Sequence, residues 1–385
     1  MMGQFEGYDL PKKIVMISTA DWDAPLWTNK QQIASRLACD FDVIYVEPLA
    51  AIGKSKRGLK HRLWKDKCGV TVFRPAGAVP FGNKLARINQ VNCSLIVNGL
   101  REVMEKKGFS RPLLWCYPPT SAPFLDLIPH ELSCYDCVDE YSAFPGTWAT
   151  IVKRMEKQLV RNVDAVFTTA RSLYEGKKKD NPHTYFVPNS ADFEHFHQAA
   201  KVKPPRTMQE LSKPVLGFVG ALNYKIDLQL LEALFKLRPN WSFVFVGPDR
   251  GLKIESLIKY RNAHFLGRKE IKELPVLMAG FDLCMIPYLI NSYTQGVLPL
   301  KFFEYLATGK PVISTPLPEL KAFAPLVDLV SNPDQFVEAV ESRMRKDPYR
   351  QRRIDLARKH SWEGRIGQIL THLEKVFQEK HEDLL

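Results

Sequence analysis

Short runs of β-branched and aromatic residues alternate with helical patterns along the whole chain. A first series of strand-like runs is KIVMIST, FDVIYVEP, GVTVFRP, PLLWCYP, LSCYDCVDEY, DAVFTTA and TYFVPN. A second series is PVLGFVGAL, SFVFVGP, AHFLG, FDLCMIPY, KPVISTP and DLVS. This alternation is typical of parallel sheets with crossover helices, and it predicts an α/β protein in which each half forms a doubly wound, Rossmann-like sheet.

The helical segments between these runs show apolar residues at three- and four-residue spacing. In the helix predicted over 28–39, Ile33 and Leu37 share a face. In the helix predicted over 84–107, the shared apolar face is Ile88, Val91, Leu95, Leu100 and Val103. The second half predicts helices near 227–236, 251–261, 270–279, 299–307 and 333–346. We expect the apolar faces to pack on the sheets.

A polar, proline-rich segment at 199–214 separates the two series, as a linker does. The chain has 385 residues, which is more than one hydrophobic core usually supports. We therefore predict an N-terminal acceptor-binding domain over 1–203, joined by a C-terminal helix over 361–385, and a C-terminal donor-binding domain over 204–360. Ligands collect outside the carboxyl ends of such sheets, so two facing domains would form a cleft.

The chain shows no apolar segment long enough to span a bilayer and no apolar region after its first charges, which predicts a cytoplasmic, non-spanning protein. Its seven cysteines are mostly set among apolar residues, as reduced, buried thiols are. Cys134 and Cys137 form a CxxC motif inside a strand-like run. We expect these two to pack in the core, the alternatives being a zinc or a redox site.

The net charge of +12 indicates an anionic partner, which could be nucleic acid, acidic lipid or a phosphorylated small molecule. Between Lys54 and Lys67, seven basic residues face a single acid, Asp66, with Leu59, Leu63 and Trp64 interleaved. Such a pattern can lie on an anionic membrane surface, here the inner face of the plasma membrane. A solvated basic loop fits the same segment equally well.

The segment 291–318 holds the most informative candidate chemistry. Pro299 and Gly309 delimit a short helix over about 299–307, fed by the loop 294–298. Free N–H groups at a helix start attract phosphate, and Gly296 would let backbone approach a diphosphate. Lys301 and Glu304 lie one turn apart, where a cation can neutralise phosphate and a carboxylate can accept ribose hydroxyls. The alternative is a surface Lys–Glu pair.

The string PLKFFEYLATGKPVIST resembles the donor-site signature of retaining glycosyltransferases of family 4 and its relatives. Four further segments resemble bacterial exopolysaccharide and teichuronic-acid-type glycosyltransferases in the same order: CYDCVDEYSAFPG (134–146), TTARSLYE (168–175), VPNSADFEHF (187–196) and SWEGR (361–365). The resemblance implies the GT-B architecture and transfer of a sugar, with retention, from a nucleoside-diphosphate sugar to an oligosaccharide or lipid-linked acceptor in cell-surface polysaccharide synthesis. It also implies no metal, no cofactor and no nucleic-acid partner, the nucleotide-sugar being a substrate.

The resemblance also implies roles for single residues. Glu304 would bind the donor ribose, and Lys225 and Lys301 would stabilise the leaving diphosphate. The remaining donor-binding candidates are Thr294, Gly296, Val297, Leu298 and Gly220. Lys225 could instead be an exposed lysine at a helix start, and Asp227 is expected to cap the helix that follows.

Two positions depart from the family pattern. Gly296 stands where the family often has the first Glu of an E-x7-E motif that ends at Glu304, and Ala221 stands where an Arg is common. In such enzymes this Glu and this Arg attend the transferred sugar and its phosphates. Lys225, Lys301 and backbone N–H groups would therefore carry more of the charge.

In the first half, Asp139 follows a strand and could accept the proton of the acceptor hydroxyl. Alternatively, Asp136, Asp139 and Glu140 bond the turn that follows. The residues expected to face the acceptor are Trp22, Trp27 and Gln32, although tryptophans are also common in cores. Rival functions are a nucleotide-sugar epimerase or hydrolase on the same fold, and a basic nucleic-acid-binding or scaffold protein.

Overall fold

The structure, a computed structural model, describes residues 3–24, 27–48, 60–77, 79–82, 84–144, 146–252 and 254–382. The chain divides into two compact units, which are residues 1–187 with 365–385 and residues 188–364. The predicted boundaries, after 203 and after 360, differ from these. Lys54, Lys56 and Arg57 of the basic segment 54–67 lie outside the described residues.

The first unit contains an eight-stranded sheet in the order β3-β4-β2-β1-β5-β6-β7-β8. Its strands are β1 (Lys13–Ile17), β2 (Asp42–Val46), β3 (Arg62–Lys65), β4 (Thr71–Arg74), β5 (Leu113–Cys116), β6 (Leu132–Cys137), β7 (Ala165–Thr168) and β8 (Thr184–Phe186). Its helices are α1 (Asn29–Leu37), α2 (Ala86–Lys106), α3 (Ala122–Leu127), α4 (Ala149–Asn162) and α5 (Arg171–Lys177). All neighbours are parallel except β3, which forms an antiparallel edge with β4. The sequence pattern did not predict β3.

The face that α2 buries is not the one that its apolar spacing predicts. Val91 and Leu95 are each 51% exposed. Asn89 and Asn92 point inward instead and bind backbone: the Asn89 amide donates to the carbonyl of Thr120, and the Asn92 amide pairs with both the N–H and the carbonyl of Val79. These hydrogen bonds make the polar residues the buried ones. The prediction for this helix was therefore wrong at its first half.

The second unit contains a six-stranded, all-parallel sheet in the order β11-β10-β9-β12-β13-β14. Its strands are β9 (Val215–Val219), β10 (Ser242–Val246), β11 (Ala263–Phe265), β12 (Leu283–Ile286), β13 (Val312–Ser314) and β14 (Val327–Leu329). Its helices are α6 (Phe193–His197), α7 (Arg206–Gln209), α8 (Leu228–Leu237), α9 (Glu255–Ile258), α10 (Leu274–Ala279), α11 (Leu300–Ala307), α12 (Pro333–Arg345) and α13 (Arg350–Lys359). The predicted helices of this half all occur, although α9 is much shorter than the predicted 251–261.

Residues 188–203 belong to the second unit because they pack on it. Ala191 forms a β-bridge with Ser361. Phe193 and Phe196 on α6 are buried in the core of this unit. The imidazole of His197 hydrogen-bonds the carbonyl of Ala307. The polar linker predicted at 199–214 thus follows the segment where the chain enters the second core.

The last helix, α14 (Trp362–Glu382), lies with the first unit from Arg365 on. The buried guanidinium of Arg365 donates to the carboxylate of Asp136 at 2.8 Å and to the carbonyl of Val187. Further along, the ammonium of Lys380 pairs with Asp164 at 2.8 Å. These contacts tie α14 to the strands β6 and β8 and to the start of β7.

Cys134 and Cys137 are buried in β6 as free thiols. Across the described ranges, no group of three or more His, Cys, Asp or Glu side chains could hold a metal ion. No described helix has the length and the hydropathy required to cross a lipid bilayer.

Candidate functional site

Two glycine loops meet at the carboxyl edge of the second sheet. Gly220 follows β9 with φ 141°, and Gly247 follows β10 with φ 152°. A Cβ on Gly247 would lie 2.0 Å from the carbonyl oxygen of Gly220, and a Cβ on Gly220 would lie 2.5 Å from the Nζ of Lys301. At Gly247 the close approach to backbone excludes a side chain, and at both positions the backbone conformation favours glycine.

Helix α11 begins at this edge. Pro299 is its N-cap residue, and Gly309, with φ 76°, follows its end, so both boundaries agree with the sequence signals. The phenol oxygen of Tyr305 accepts a hydrogen bond from the N–H of Val219 at 2.7 Å. This bond fixes α11 to the last residue of β9, which holds the first turn of the helix next to the Gly220 loop.

Lys301, in that first turn, is half-buried, and its ammonium lies against aromatic rings. The Nζ atom is 3.6 Å from the ring centroid of Phe218 and 5.1 Å from that of Tyr288. Burial lowers the pKa of Lys301 well below its ordinary value, while the carboxyl of Glu304 raises it and the charge of Lys225 lowers it further. The ring contacts offset only part of the hydration that the ammonium loses, so an anion at this position would stabilise the charged form.

Glu304 lies one turn deeper in α11 and is also half-buried. Burial raises its pKa to about 7, the ammonium of Lys301 opposes that shift, and the charge of Asp192 adds to it. The surroundings of both charges are those of an interior site, so the alternative of an exposed Lys–Glu surface pair does not describe them. A carboxylate in such a place binds hydroxyl donors well because few waters compete for it.

Lys225 lies in the loop after β9 and contacts Tyr293, a residue that sequence reasoning did not select. Its ammonium donates to the phenol oxygen of Tyr293 at 3.0 Å and lies 4.6 Å from the ring centroid. The N–H of Leu289 donates to the carbonyl of Lys225, which fixes the loop. Lys225 is therefore half-buried and held, unlike a freely exposed lysine at a helix start. Asp227 caps α8 by accepting from the N–H of Leu230, and the prediction for this residue is confirmed.

The loop that precedes α11 is fixed by its own side chains. The hydroxyl of Thr294 is buried, donates to the carbonyl of Leu289 and accepts from the N–H of Asn291 at 2.9 Å. Gly296, Val297 and Leu298 are buried as well. Their predicted role at the diphosphate stays a prediction, and any contribution from Thr294 is through the shape of the loop, since its hydroxyl is already bonded.

In the first unit, the three acids of the segment 136–140 have different surroundings. Asp136 is fully buried and paired with Arg365. Glu140 accepts from the backbone N–H and the hydroxyl of Ser142, as the turn interpretation expects. Asp139 follows β6 half-buried, and its charge opposes the effect of burial on Lys30, whose pKa is lowered. The catalytic role of Asp139 stays a prediction.

Lys30, at the start of α1, is a charged residue that sequence reasoning missed. It is buried, and its ammonium lies 5.4 Å from the ring centroid of Tyr117. Burial lowers its pKa, and the nearby charges of Asp139 and Asp136 raise it. Three of the four residues of the run NKQQ, Asn29 to Gln31, are buried. The signal that could have found Lys30 is this polar run at the start of a predicted helix.

The aromatic residues predicted to face the acceptor pack on each other. Trp22 is buried, and its ring lies 5.2 Å from that of Trp27 and 4.9 Å from that of Tyr45, measured between centroids. Trp27 is 37% exposed. The amide of Gln32 accepts from Arg36 at 2.6 Å. Trp22 is therefore a core residue, and of the two rings only that of Trp27 is available for stacking on a sugar.

A cavity of about 400 Å³ opens at the carboxyl ends of β1, β2 and β5. Among its lining residues are Ser18, Glu47, Phe81, Asn89 and Phe124. In an open α/β sheet this edge is the usual position of a ligand. Neither the tryptophans nor Gln32 line the cavity, and their contact with an acceptor stays a prediction.

Comparison with known proteins identifies the class of enzyme. The family described as Glycosyl transferases group 1 matches residues 213–346. TuaH from Bacillus subtilis (strain 168), which is named as a teichuronic acid biosynthesis glycosyltransferase, is 29% identical to this chain, and the match covers 93% of this chain and 96% of TuaH. The chain is a glycosyltransferase.

Solved structures show that the fold of this glycosyltransferase is GT-B. Sucrose-phosphate synthase from Thermosynechococcus elongatus is similar with a TM-score of 0.72 at 16% identity, over 95% of this chain and 99% of that one. A UDP-forming trehalose-phosphate synthase from Burkholderia xenovorans has a TM-score of 0.71 at 14% identity, over 95% and 99%. HepE from Anabaena, solved with UDP and glucose, has a TM-score of 0.59 at 14% identity, over 97% and 99%. The predicted architecture is confirmed for the two parallel-sheet units, and the cleft stays a prediction.

The segment matched by the family lies entirely within the second unit of the glycosyltransferase and contains all of β9 to β14. It includes Gly220, Lys225, Lys301 and Glu304. The two departures from the family pattern, Ala221 and Gly296, are in the same segment.

Proposed function

We propose that the enzyme transfers a sugar from a nucleoside-diphosphate sugar, bound by the second unit, to an acceptor glycan bound by the first, in the synthesis of a cell-surface polysaccharide. The observation that carries the proposal is the position of the Lys301 ammonium directly against the Gly220 loop. The named role of TuaH and the UDP-glucose complex of HepE support the choice of pathway class and of donor.

The donor diphosphate would lie over the Gly220 loop and the start of α11. Lys301 and Lys225 would each place an ammonium near it, and the glycines would let phosphate oxygens approach backbone. Of the two ammonium groups, that of Lys301 would be stabilised more by a phosphate, because the phosphate replaces the hydration that burial removed. The absence of an acid at 296 and of an arginine at 221 makes these two lysines the principal charges of the proposed site.

Glu304 would accept hydrogen bonds from the donor ribose. Its carboxyl lies one turn below Lys301, on the same helix, so a diphosphate near the helix start and a pentose beside Glu304 are at the spacing that a nucleotide requires. The base and the sugar are left open by this arrangement. UDP is the first nucleotide to test because two similar structures name it.

In the transfer, the bond between the anomeric carbon and the β-phosphate oxygen breaks, and its electron pair leaves with the nucleoside diphosphate. The acceptor hydroxyl oxygen bonds to that carbon, and its proton passes to a base, for which we propose Asp139. The lysines stabilise the charge that develops on the leaving group, which is electrostatic catalysis by groups already in place. Retention of configuration, and transfer without a metal ion or cofactor, are parts of the proposal.

The acceptor is proposed to be an oligosaccharide or a lipid-linked glycan, used at the inner face of the plasma membrane by a cytoplasmic enzyme. The support is the likeness to TuaH and the basic segment 54–67, whose first residues lie outside the described ones. NMR of the anomeric proton in the product would give the configuration directly, and an inverted product would contradict retention.

A thermal-shift screen of UDP, GDP, ADP and their sugars tests the proposal. A ligand that binds only the folded protein raises its melting temperature by mass action, so the matching nucleotide should give the largest shift. Glu304→Ala should reduce the shift and raise the donor KM or abolish turnover while the fold is kept. Sugar release measured without acceptor separates transfer from hydrolysis, and rapid release would favour the hydrolase alternative.

A further inference from the structure

Most of the net positive charge of the chain comes from one short segment of the first unit. Between Pro48 and Arg101 there are eleven Lys and Arg residues and one acid, Asp66. The other 331 residues carry 43 basic and 41 acidic side chains, so they are close to neutral. A net charge this localised points to one cationic surface rather than to a generally basic protein.

Within this segment, the loop before α2 is built to hold a phenylalanine in solvent. Phe81 has φ 71°, a left-handed backbone conformation that is strained for a residue of its shape, and it is 56% exposed. The Asn92 amide binds both the N–H and the carbonyl of Val79, and the carbonyl of Phe81 accepts from the N–H groups of Lys84 and Leu85. The loop is therefore fixed from both sides while its largest apolar side chain is left uncovered.

A second exposed aromatic ring lies next to Phe81. The Lys84 ammonium is 5.4 Å from the ring centroid of Phe81 and 5.4 Å from that of Trp148, which is 52% exposed. Leu85 is 49% exposed. Large apolar side chains are normally exposed singly, so two aromatic rings bridged by one lysine form an unusual surface.

The same surface continues along α2. Val91 and Leu95, one helical turn apart, are on its exposed face with Arg87 at the start. Further along the helix, a Cβ on Gly99 would lie 3.5 Å from the ring of His61, so this face leads to β3 and its exposed basic residues. We call the surface formed by Phe81, Lys84, Leu85, Val91, Leu95 and Trp148 the Phe81–Trp148 face.

We propose that the Phe81–Trp148 face docks on an anionic lipid bilayer. Exposed Phe, Trp and Leu side chains among lysines and arginines are the composition that inserts at the boundary between headgroups and acyl chains, and each nearby cation is attracted to anionic lipid. Nucleic acid would bind the basic residues, but contact with Val91, Leu95 and Leu85 would add little to its affinity. A bilayer would cover these apolar side chains. The inference deepens the proposed function, since it names the surface by which the enzyme would meet a membrane-bound acceptor, and its test does not depend on turnover.

The experiment is co-sedimentation of the full chain with vesicles of phosphatidylcholine alone and with phosphatidylglycerol added. The test variant is Phe81→Asn with Trp148→Ser, because asparagine tolerates a positive φ. The control variant is Ile258→Ser with Ile271→Ser, two residues of the second unit that are 58% and 53% exposed. A third variant, Lys84→Glu, changes the charge at the centre of the face.

The wild type and the control should bind the anionic vesicles and should bind neutral vesicles more weakly. The aromatic variant should lose about tenfold or more of its partition onto anionic vesicles, and Lys84→Glu should lose part of it. The nucleotide thermal shift of each variant, measured alone, reports on the fold and the donor site. A variant that no longer binds vesicles but keeps its nucleotide thermal shift would support the Phe81–Trp148 face. Absence of a nucleotide thermal shift in the wild type would contradict the proposed function but not the proposed face.

Three results would overturn the proposal. One is equal binding of the aromatic variant and the control, which would assign any membrane contact to the basic segment 54–67. Another is failure of the wild type to bind anionic vesicles at low salt. The third is binding of RNA or DNA that the aromatic substitutions leave unchanged, with no vesicle binding, which would make the cationic segment a nucleic-acid surface.

Discussion

The ammonium of Lys301 lies so close to Gly220 that the two cannot both be kept if position 220 gains a side chain. An added Cβ would come within 2.5 Å of Lys301 Nζ. The two residues are 81 positions apart, and the Val219–Tyr305 hydrogen bond of 2.7 Å holds their elements together. The space that the proposed phosphate-binding cation occupies is therefore left free by a glycine in the loop after β9.

Gly220→Ala should abolish the nucleotide thermal shift and lower the free energy of unfolding by about 1–3 kcal/mol, since alanine is strained at φ 141° and must displace Lys301. Gly251→Ala is the matched control. Gly251 also has a positive φ, 84°, but has open space around it. The control should lose comparable stability and keep the nucleotide response, as measured by urea unfolding and by thermal shift. If both variants respond to nucleotide equally, Lys301 does not hold the phosphates.

Lys301→Met should make the ligand-free protein more stable and the nucleotide response weaker. Burial lowers the pKa of Lys301, which means that the ammonium is unfavourable where it lies without an anion. Replacing it with an apolar side chain of similar length should raise the free energy of unfolding, and Glu304, without the Lys301 charge, should then keep its proton at neutral pH. The variant should then show little shift with the diphosphate that stabilises the wild type.

Lys310→Met separates this effect from the general effect of removing a buried lysine. The ammonium of Lys310 donates to the carbonyls of Ala279 and Phe281, and burial lowers its pKa also. Its loss leaves those carbonyls without that donor, so this variant should be destabilised and should keep its nucleotide response. A stabilised Lys310→Met, or a destabilised Lys301→Met, would contradict the assignment.

Glu304 should make both stability and donor binding depend on pH. Its pKa is raised from an ordinary 4.5 to about 7, so between these values the folded protein keeps a proton that the unfolded chain releases. The free energy of unfolding should therefore fall as the pH rises through this range, and Glu304→Gln should flatten that dependence. Urea unfolding at a series of pH values measures it.

Donor binding should change in the opposite direction, because the ionised carboxylate is the form that accepts ribose hydroxyls. Calorimetry with the nucleotide-sugar selected by the screen should show affinity rising as the pH passes about 7, the pKa of Glu304. Glu304→Gln should bind more weakly than the wild type at pH 8 and about equally at pH 5.5. Parallel pH profiles for the two proteins would exclude Glu304 from the ribose site.

The elements of this site that the sequence predicted are the local ones. Helix α11 was located by Pro299 and Gly309, which act on the few residues beside them, and Asp227 was identified as a cap for the same reason. Their signals need no knowledge of the rest of the chain. The parallel order of strands also follows from local alternation.

What the sequence could not predict depends on contacts between distant residues. Tyr293 meets Lys225 across 68 positions, and no spacing rule joins them. On α2, Asn92 is buried because it binds Val79, while the more apolar Val91 is exposed. A hydropathy pattern assigns the inward side by apolarity, so it fails where an amide has backbone groups to bond.

Asp136 and Asp139, three residues apart, should respond differently to the same substitution. Asp136 is fully buried and pairs with the buried Arg365 at 2.8 Å, so Asp136→Asn removes one charge of a buried pair and should cost about 3–5 kcal/mol of stability. Asp139 is half-buried, and Asp139→Asn should cost less stability than Asp136→Asn. If Asp139 is the base that accepts the acceptor proton, its substitution should lower kcat by about 10²- to 10⁴-fold. The donor KM should change little, because the nucleotide is proposed to bind the other unit. Steady-state kinetics measures the effect on turnover, and thermal unfolding measures the effect on stability. An Asp139→Asn enzyme with normal kcat would exclude Asp139 as the base.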